Sequence, residues 1–158
     1  TEIYAVLSAL TGVPIKQGIA VTGSVNQMGE IQPIGGVNEK VEGFFDVCKM
    51  KGLTGKHGVI IPLQNVKDLM LKDEVLNAVK KNQFHVYAVS KVEEAIEILT
   101  GLRAGKKLTN GRYQSKTIFG EVEKELTAMR KILRPPPSKK NNSKPNGNHE
   151  EKSLKRKK

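Results

Sequence analysis

The stretch IQPIGGVNEKVEGFF, residues 31–45, decides the fold because a strand pattern passes into a helix pattern within it. Gly35 and Gly36 allow the backbone to turn tightly at this junction. The helix that follows is predicted to run from about residue 37 to 51. Lys40 lies in its first turn, inside an otherwise apolar pattern, and the sequence therefore raises the question of what an ammonium group does there.

On both sides of this junction, hydrophobic periodicity predicts alternating helices and strands. The predicted helices cover residues 1–11, 37–51, 67–82 in one or two pieces, and 91–101. The predicted strands cover residues 18–26, 29–34, 57–62 and 84–89, with a tight turn near Met28-Gly29 between the first two. Thr1 can act as the N-cap of the first helix. This order predicts a mixed α/β sandwich with at least two crossover units.

The chain is predicted to divide into three parts. Residues 1–101 hold the alternating pattern and form the core domain. Residues 102–133 combine a turn-rich loop with an amphipathic helix that spans about residues 117–133. Residues 134–158 are predicted to be a disordered basic tail, since they have few apolar residues, nine basic residues and two acidic ones. This tail could bind nucleic acid weakly through phosphates, but a solubilising terminus is the preferred interpretation.

Several classes of site and protein are disfavoured by the composition. A single cysteine, Cys48, excludes an internal disulfide and is predicted to be a core residue. No apolar run approaches the roughly 18 residues that a membrane span needs, and no signal peptide is visible. The histidines His57, His85 and His149 lack the spacing of metal ligands, and no glycine motif has the fingerprint of a phosphate site. We therefore predict a cytoplasmic location, with no metal or cofactor site in these residues.

Two interpretations of Lys40 follow from the residues alone. A helix N-terminus is electropositive, and the neighbours Gly43 and Phe44 are small or apolar, so both effects favour a neutral amine. A neutral lysine can act as a general base towards a serine hydroxyl. The alternative is a solvated helix lysine that pairs with Glu39 or Glu42, and base rates favour it.

A longer stretch, AVTGSVNQMGEIQPIGGVNEKVEGFFDVCKMKGLTGKHGVIIP at residues 20–62, resembles the proteolytic domain of the Lon proteases. The similarity is greatest to the bacterial Lon-like, LonB-type branch, and it covers about residues 1–101. A Thr-Gly strand, a Gly-Gly-Val-x-x-Lys turn and an Ile-Ile-Pro strand carry it, in matching order and spacing. The resemblance implies the Lon proteolytic-domain fold, an α/β fold with a mixed sheet and helices.

The resemblance also implies a peptidase with a Ser–Lys dyad. Lys40 matches the catalytic lysine, and Thr22 matches a threonine that supports it. The nucleophile serine is expected upstream of Thr1, so this chain is expected to supply the lysine, to lack the serine and to be inactive alone. Ser8, inside the first helix, is predicted to bond to the backbone or to face a packing neighbour. Ser24 is predicted to lie on the Thr22 strand and to point to the same face, so it is kept as a minor candidate for lining the site.

For the parent protein, the resemblance implies an ATP-dependent serine endopeptidase that degrades unfolded or damaged proteins. ATP and Mg²⁺ would bind in an ATPase module before Thr1, and the subunits would form a homo-hexamer away from any membrane. The alternative is a non-catalytic Lon-like scaffold domain that assembles rings in a DNA-repair or other ATPase.

Overall fold

The computed structural model of the chain describes residues 2–133, in which helices and strands alternate. The helices are α1 (Glu2–Thr11), α2 (Val37–Lys51), α3 (Asp73–Lys80), α4 (Val92–Thr100) and α5 (Ile118–Leu133), together with a 3-10 helix at Leu63–Asp68. The strands are β1 (Ile19–Val21), β2 (Ser24–Val25), β3 (Ile31–Gln32), β4 (His57–Pro62) and β5 (Phe84–Val89). The predicted α/β fold is confirmed, whereas the Thr1 cap and the tail at 134–158 lie outside the described residues.

The strands form two small sheets of different kinds. A parallel three-stranded sheet has the order β1-β4-β5, and an antiparallel pair joins β2 to β3. The central strand β4 is buried from Gly58 to Pro62, as expected for a parallel strand covered on both faces. The segment from β2 to α2 connects β1 to β4, and α3 lies between β4 and β5 in the chain, so the two crossover units are present.

The prediction of one continuous strand over residues 18–26 is wrong. The strand breaks at Thr22-Gly23, and its two halves join different sheets. Gly23 has φ of 141°, and a Cβ there would lie 3.2 Å from Cγ of Pro62 and 3.3 Å from Cγ2 of Ile31. The chain therefore changes direction at a residue where only glycine fits. The second predicted strand, 29–34, shortens to two residues before Pro33.

Two hydrophobic clusters cover the two faces of the parallel sheet. Alternation along β4 places Ile60 in the cluster with α1 and α4, and Val59 and Ile61 in the cluster with α2 and α3. The helix that begins at Val37 is thus fixed on one face of the sheet, opposite α1. The predicted helix at 67–82 is two pieces, since residues 69–72 are not helical.

The segment beyond residue 101 packs against the core domain through its loop and the start of α5. Ala104 and Ile118 are each 2% exposed, and the Ile118 amide donates to the Arg103 carbonyl at 3.0 Å. The first half of α5 lies against α1, whereas every residue from 126 to 133 is exposed. No helix between residues 2 and 133 has both the length and the apolar content needed to cross a bilayer.

Candidate functional site

Lys40 bonds to the glycine turn that starts α2. Gly36, the residue before the helix, has the left-handed conformation with φ of 66° and ψ of 33°. The Lys40 amide donates to the Gly36 carbonyl at 3.2 Å, and the Lys40 ammonium donates to the Gly35 carbonyl at 3.3 Å. The turn and the lysine side chain are therefore one hydrogen-bonded unit.

The Lys40 side chain is exposed, because it lies outside the buried stripe of α2. That stripe consists of Val37, Val41, Phe45 and Cys48, at helical spacing. Lys40 precedes Val41 by one residue and so points about 100° away from it around the helix axis. Gly43 is exposed as well, so the predicted shielding of Lys40 by apolar neighbours is not seen.

Glu42, two residues after Lys40, pairs with a different lysine. Glu42 accepts a hydrogen bond from the Lys72 amide at 2.9 Å and forms an ion pair with the Lys72 ammonium at 3.1 Å. The bond from the Lys72 amide, and then the ammonium, hold the pKa of Glu42 below its usual value. Among residues 2–133, no ion pair joins Lys40 to a carboxylate. The predicted pairing with Glu39 or Glu42 is therefore not found in this part of the chain.

Asn65 anchors the turn before α2, and this role was not predicted from the sequence. The residue lies in the 3-10 helix and is 4% exposed. Its Nδ2 donates to the Ile34 carbonyl at 3.0 Å, and its Oδ1 accepts from the Ile34 amide at 3.0 Å. One buried amide side chain thus satisfies both polar backbone groups of the residue before Gly35. A polar residue after a strand is a common pattern, so only the folded chain identifies this contact.

A second anchor comes from Asn38, two residues before Lys40. Its Nδ2 donates to the Asp68 carbonyl at 3.2 Å, and its Oδ1 accepts from the Met70 amide at 2.9 Å. Together with Asn65 and Glu42, this side chain ties the first turns of α2 to residues 65–72. Such support fixes the position of a functional side chain better than a free loop can.

Thr22 directly follows β1. In the sequence, the strands β2 and β3 lie between Thr22 and Lys40. Its amide donates to the Ile60 carbonyl at 2.9 Å, which extends the pairing of β1 with β4 by one residue. The half-buried Thr22 lines a small cavity with Tyr4 and Gly23. No hydrogen bond within residues 2–133 joins the Thr22 hydroxyl to Lys40. Each residue is held instead by bonds to its own neighbours.

Tyr4 is a buried polar residue of this cavity that the sequence did not single out. The residue is 2% exposed, and its hydroxyl has no hydrogen-bond partner among the described residues. Burial, and then the nearby Glu93 carboxylate, raise the pKa of Tyr4 to about 12. The cavity next to Thr22 is therefore lined by a neutral tyrosine.

The two serines near the start of the chain have different environments. The Ser8 hydroxyl donates to the Val13 carbonyl at 2.7 Å, which confirms its predicted backbone role. The Ser24 hydroxyl is exposed and lies 3.4 Å from Oε1 of Gln32. Ser24 also lines a surface depression with Glu2 and Ile3, so the start of α1 lies beside the β2–β3 pair.

Within residues 2–133, neither Cys48 nor a cluster of metal-ligating side chains adds a reactive group to this site. Cys48 is 4% exposed, and burial raises the pKa of its thiol, so the predicted core role is confirmed. Over residues 2–133, no group of three or more histidine, cysteine, aspartate or glutamate side chains is placed to hold a metal ion.

Comparison with known proteins gives one consistent family. Residues 1–101 match the profile of the Lon protease (S16) C-terminal proteolytic domain. A Lon protease homolog of Escherichia coli (strain K12) is 50% identical over 101 residues, which are 64% of this chain and 17% of the relative. An archaeal Lon protease of Archaeoglobus fulgidus is 36% identical over 119 residues, which are 75% of this chain and 16% of the relative.

A third relative extends the match further along the chain. A Lon protease of Brucella suis biovar 1 is 36% identical over 127 residues, which are 80% of this chain and 14% of the relative. The chain therefore spans less than a fifth of the length of each of these three relatives. The match over residues 1–101 shows that this chain belongs to the Lon protease C-terminal proteolytic domain family.

Proposed function

We propose that this chain is part of an ATP-dependent Lon-like serine endopeptidase in which Lys40 is the general base. The observation that carries the proposal is the anchored turn, in which Asn65 holds Ile34 and the Lys40 ammonium bonds to the Gly35 carbonyl. Because Lys40 is exposed, the support of its turn, and not burial of the side chain, is what favours a functional role. The same lysine ends the Gly-Gly-Val-x-x-Lys motif within the matched family domain.

The proposed reaction is acyl transfer through a serine ester. A neutral Lys40 accepts the proton of the serine hydroxyl while the serine oxygen attacks the peptide carbonyl carbon. The lysine then donates this proton to the departing amine, and water hydrolyses the ester by the same route in reverse. Lys40 is exposed among the described residues, so we expect the segment that carries the serine to complete its surroundings.

Thr22 has a supporting role in this proposal. Its hydroxyl would orient the lysine rather than take part in proton transfer, because a threonine does not ionise in this range. We expect Thr22→Val to lower the rate by about one to two orders of magnitude, ~1.4 to 3 kcal/mol of transition-state stabilisation.

The wider assignments are proposals of the same kind. The Lon protease names of the relatives support a protease, and the other assignments rest on the family resemblance of the sequence. The substrates would be unfolded or damaged polypeptides, and ATP with Mg²⁺ would bind in an upstream ATPase module. The parent would be a cytoplasmic homo-hexamer. Any contact of residues 134–158 with nucleic acid would be weak and non-specific.

The test uses the parent protein that retains its serine. Lys40→Ala should abolish hydrolysis of an unfolded protein, and Lys40→Arg should do so too, because a guanidinium stays protonated. Lys51→Ala and Lys51→Arg are matched controls, since Lys51 is an exposed lysine in the last turn of the same helix. An active Lys40→Arg enzyme would remove Lys40 from the mechanism. The 158-residue chain alone should hydrolyse nothing.

A ring scaffold is the second candidate, and one observation favours it. In the part of the chain that the structure describes, the Lys40 side chain is exposed, as expected for a solvated lysine of a non-catalytic domain. A scaffold predicts a parent protein that forms rings but cleaves no peptide, before and after Lys40→Ala. Peptide hydrolysis by the parent would exclude it.

A further inference from the structure

The last helix carries an apolar seam that the core domain covers only in part. The seam residues are Phe119, Val122, Leu126, Met129 and Leu133, with alternating spacings of three and four. This is the a and d pattern of a coiled-coil heptad. Phe119 and Val122 pack against the first hydrophobic cluster. Leu126, Met129 and Leu133 are 50%, 46% and 81% exposed, so the seam continues past its support.

A groove lies beside the supported half of this seam. Its volume is about 390 Å³, and its walls include Tyr113, Phe119, Val122 and Leu126. The rings of Tyr113 and Phe119 meet edge to face with centroids 5.4 Å apart. The groove thus offers an apolar site at one end of α5, while the other end exposes apolar side chains that could fill it.

Charged residues flank the seam at one heptad separation. Glu123 and Arg130 both line the groove, and both take the e position if Phe119 is a. Seven residues along a helix correspond to roughly 10 Å, so the two cannot pair within one helix. Among residues 2–133, neither forms an ion pair; Oε2 of Glu123 accepts a hydrogen bond from the Tyr113 amide at 3.0 Å, which leaves its other carboxylate oxygen for a second partner. The helix is therefore charge-complementary to a second copy of itself.

We propose that α5 pairs in antiparallel orientation with α5 of a second copy of this chain. In the register that matches a positions to d positions, Leu126 faces Met129 of the second copy, and Val122 faces Leu133. The exposed end of each helix then lies on the supported half of the other and enters its groove. Because this contact uses α5 alone, the inference does not depend on the proposed catalysis.

The same register brings the flanking charges together. Glu123 of each copy comes opposite Arg130 of the other, which gives two symmetric ion pairs at the edge of the seam. A parallel pair could form a different ion pair, between Glu125 and Arg130, but its two grooves would lie side by side at the same end. Only the antiparallel pair fills both grooves, and the groove therefore decides the direction.

Cysteine cross-linking of the full 158-residue chain tests the orientation. In the antiparallel pair, the two copies of residue 122 lie about 16 Å apart along the seam, and so do the two copies of residue 133. A mixture of Val122→Cys chains and Leu133→Cys chains should form a disulfide-linked dimer, whereas neither variant alone should. The wild-type chain, whose Cys48 is buried, is the control.

Two results of this cross-linking would overturn the proposal. A dimer of Val122→Cys with itself would show a parallel pair. The absence of a linked dimer from the mixture would show that a different occupant, such as residues 134–158 of the same chain, covers the seam. Circular dichroism of each variant establishes that the helices are retained.

Charge reversal gives an independent measurement, by sedimentation at several concentrations and low salt. Arg130→Glu should weaken self-association about ten-fold or more. Lys131→Glu is the control: it makes the same change in charge on the outer face of the helix and should have no such effect. Mixing Glu123→Arg chains with Arg130→Glu chains should restore association, because the mixed pair forms both ion pairs, one with its native signs and one with its signs exchanged. Equal effects of Arg130→Glu and Lys131→Glu, or no recovery on mixing, would refute the register.

Discussion

The two longest helices, α2 and α5, have similar amphipathic patterns but differ in how their apolar faces are covered. The α2 face consists of Val37, Val41, Phe45 and Cys48, all between 0% and 4% exposed. In α5, Ile118 is the buried residue, and Leu133 at the other end is 81% exposed. The α2 helix lies on the sheet along its length, whereas the buried part of α5 is its first half, which lies against α1. A hydrophobic stripe therefore predicts that a segment is helical, but it does not predict how much of the stripe is buried.

The largest expected effect compares a buried and an exposed position on these helices. Phe45→Ala should destabilise the chain by about 3–5 kcal/mol, because the ring is 2% exposed and meets the Phe84 ring edge to face at 5.2 Å. Leu126→Ala, in the exposed half of α5, should cost less than about 1 kcal/mol in dilute solution. Urea unfolding measures both, and similar losses would mean that the second half of α5 is covered within the monomer.

An intermediate effect is expected at Asn65, which anchors the turn before α2. Asn65→Ala leaves the Ile34 amide and carbonyl without their partners, and should cost about 1–3 kcal/mol. Hydrogen exchange of the Ile34 amide should become faster, while amides in α5 keep their rates. Gln64→Ala, at an exposed neighbouring residue, is the matched control. Unchanged exchange at Ile34 would show that the glycine turn holds itself.

Most of the fold follows from local patterns, and the failures have local causes. The strands 57–62 and 84–89 were predicted at their observed bounds, because both are short apolar runs between turn signals. The prediction of a strand over 18–26 failed, since the contacts that favour glycine at residue 23 come from Pro62, which is distant in the sequence, and from Ile31 on the paired strand β3. The predicted helix starts at about residue 67, whereas the 3-10 helix begins at Leu63, directly after β4.

The candidate site was predictable in its residues but not in its geometry. Lys40 and Thr22 came from a motif resemblance, which says nothing about exposure. Lys40 is exposed because its helical phase differs from that of Val41, and this phase was present in the sequence. The role of Asn65 was not, because its partner lies thirty-one residues earlier in the chain.

The smallest expected effect concerns α1, the helix that supports α5. Tyr4→Phe removes a buried hydroxyl that has no hydrogen-bond partner within residues 2–133, so stability at pH 7 should be equal or higher by up to about 1 kcal/mol. The pKa of Tyr4 is raised to about 12, whereas an unfolded tyrosine titrates near 10. The unfolded chain therefore loses this proton first, and wild-type stability should fall as pH rises from about 10 towards 12.

Urea unfolding of both proteins at pH 7 and above pH 10 measures this difference. The advantage of the Tyr4→Phe variant should increase with pH, since phenylalanine has no proton to lose. A constant difference between the two proteins would mean that the Tyr4 hydroxyl reaches water in the folded state.

The strand break at Gly23 and the turn at Gly36 set different limits on how far this sequence can change. Both residues have positive φ, but a side chain at residue 36 would meet only the Glu39 carboxylate, at 3.6 Å, and its φ of 66° is one that asparagine adopts. At residue 23, φ is 141°, a conformation that residues with a side chain rarely adopt, and a Cβ would make tight contacts of 3.2 and 3.3 Å with two side chains. A redesign of this domain can therefore exchange the glycine before Lys40 for asparagine, whereas the glycine at the strand break has to stay in every variant that keeps the two sheets.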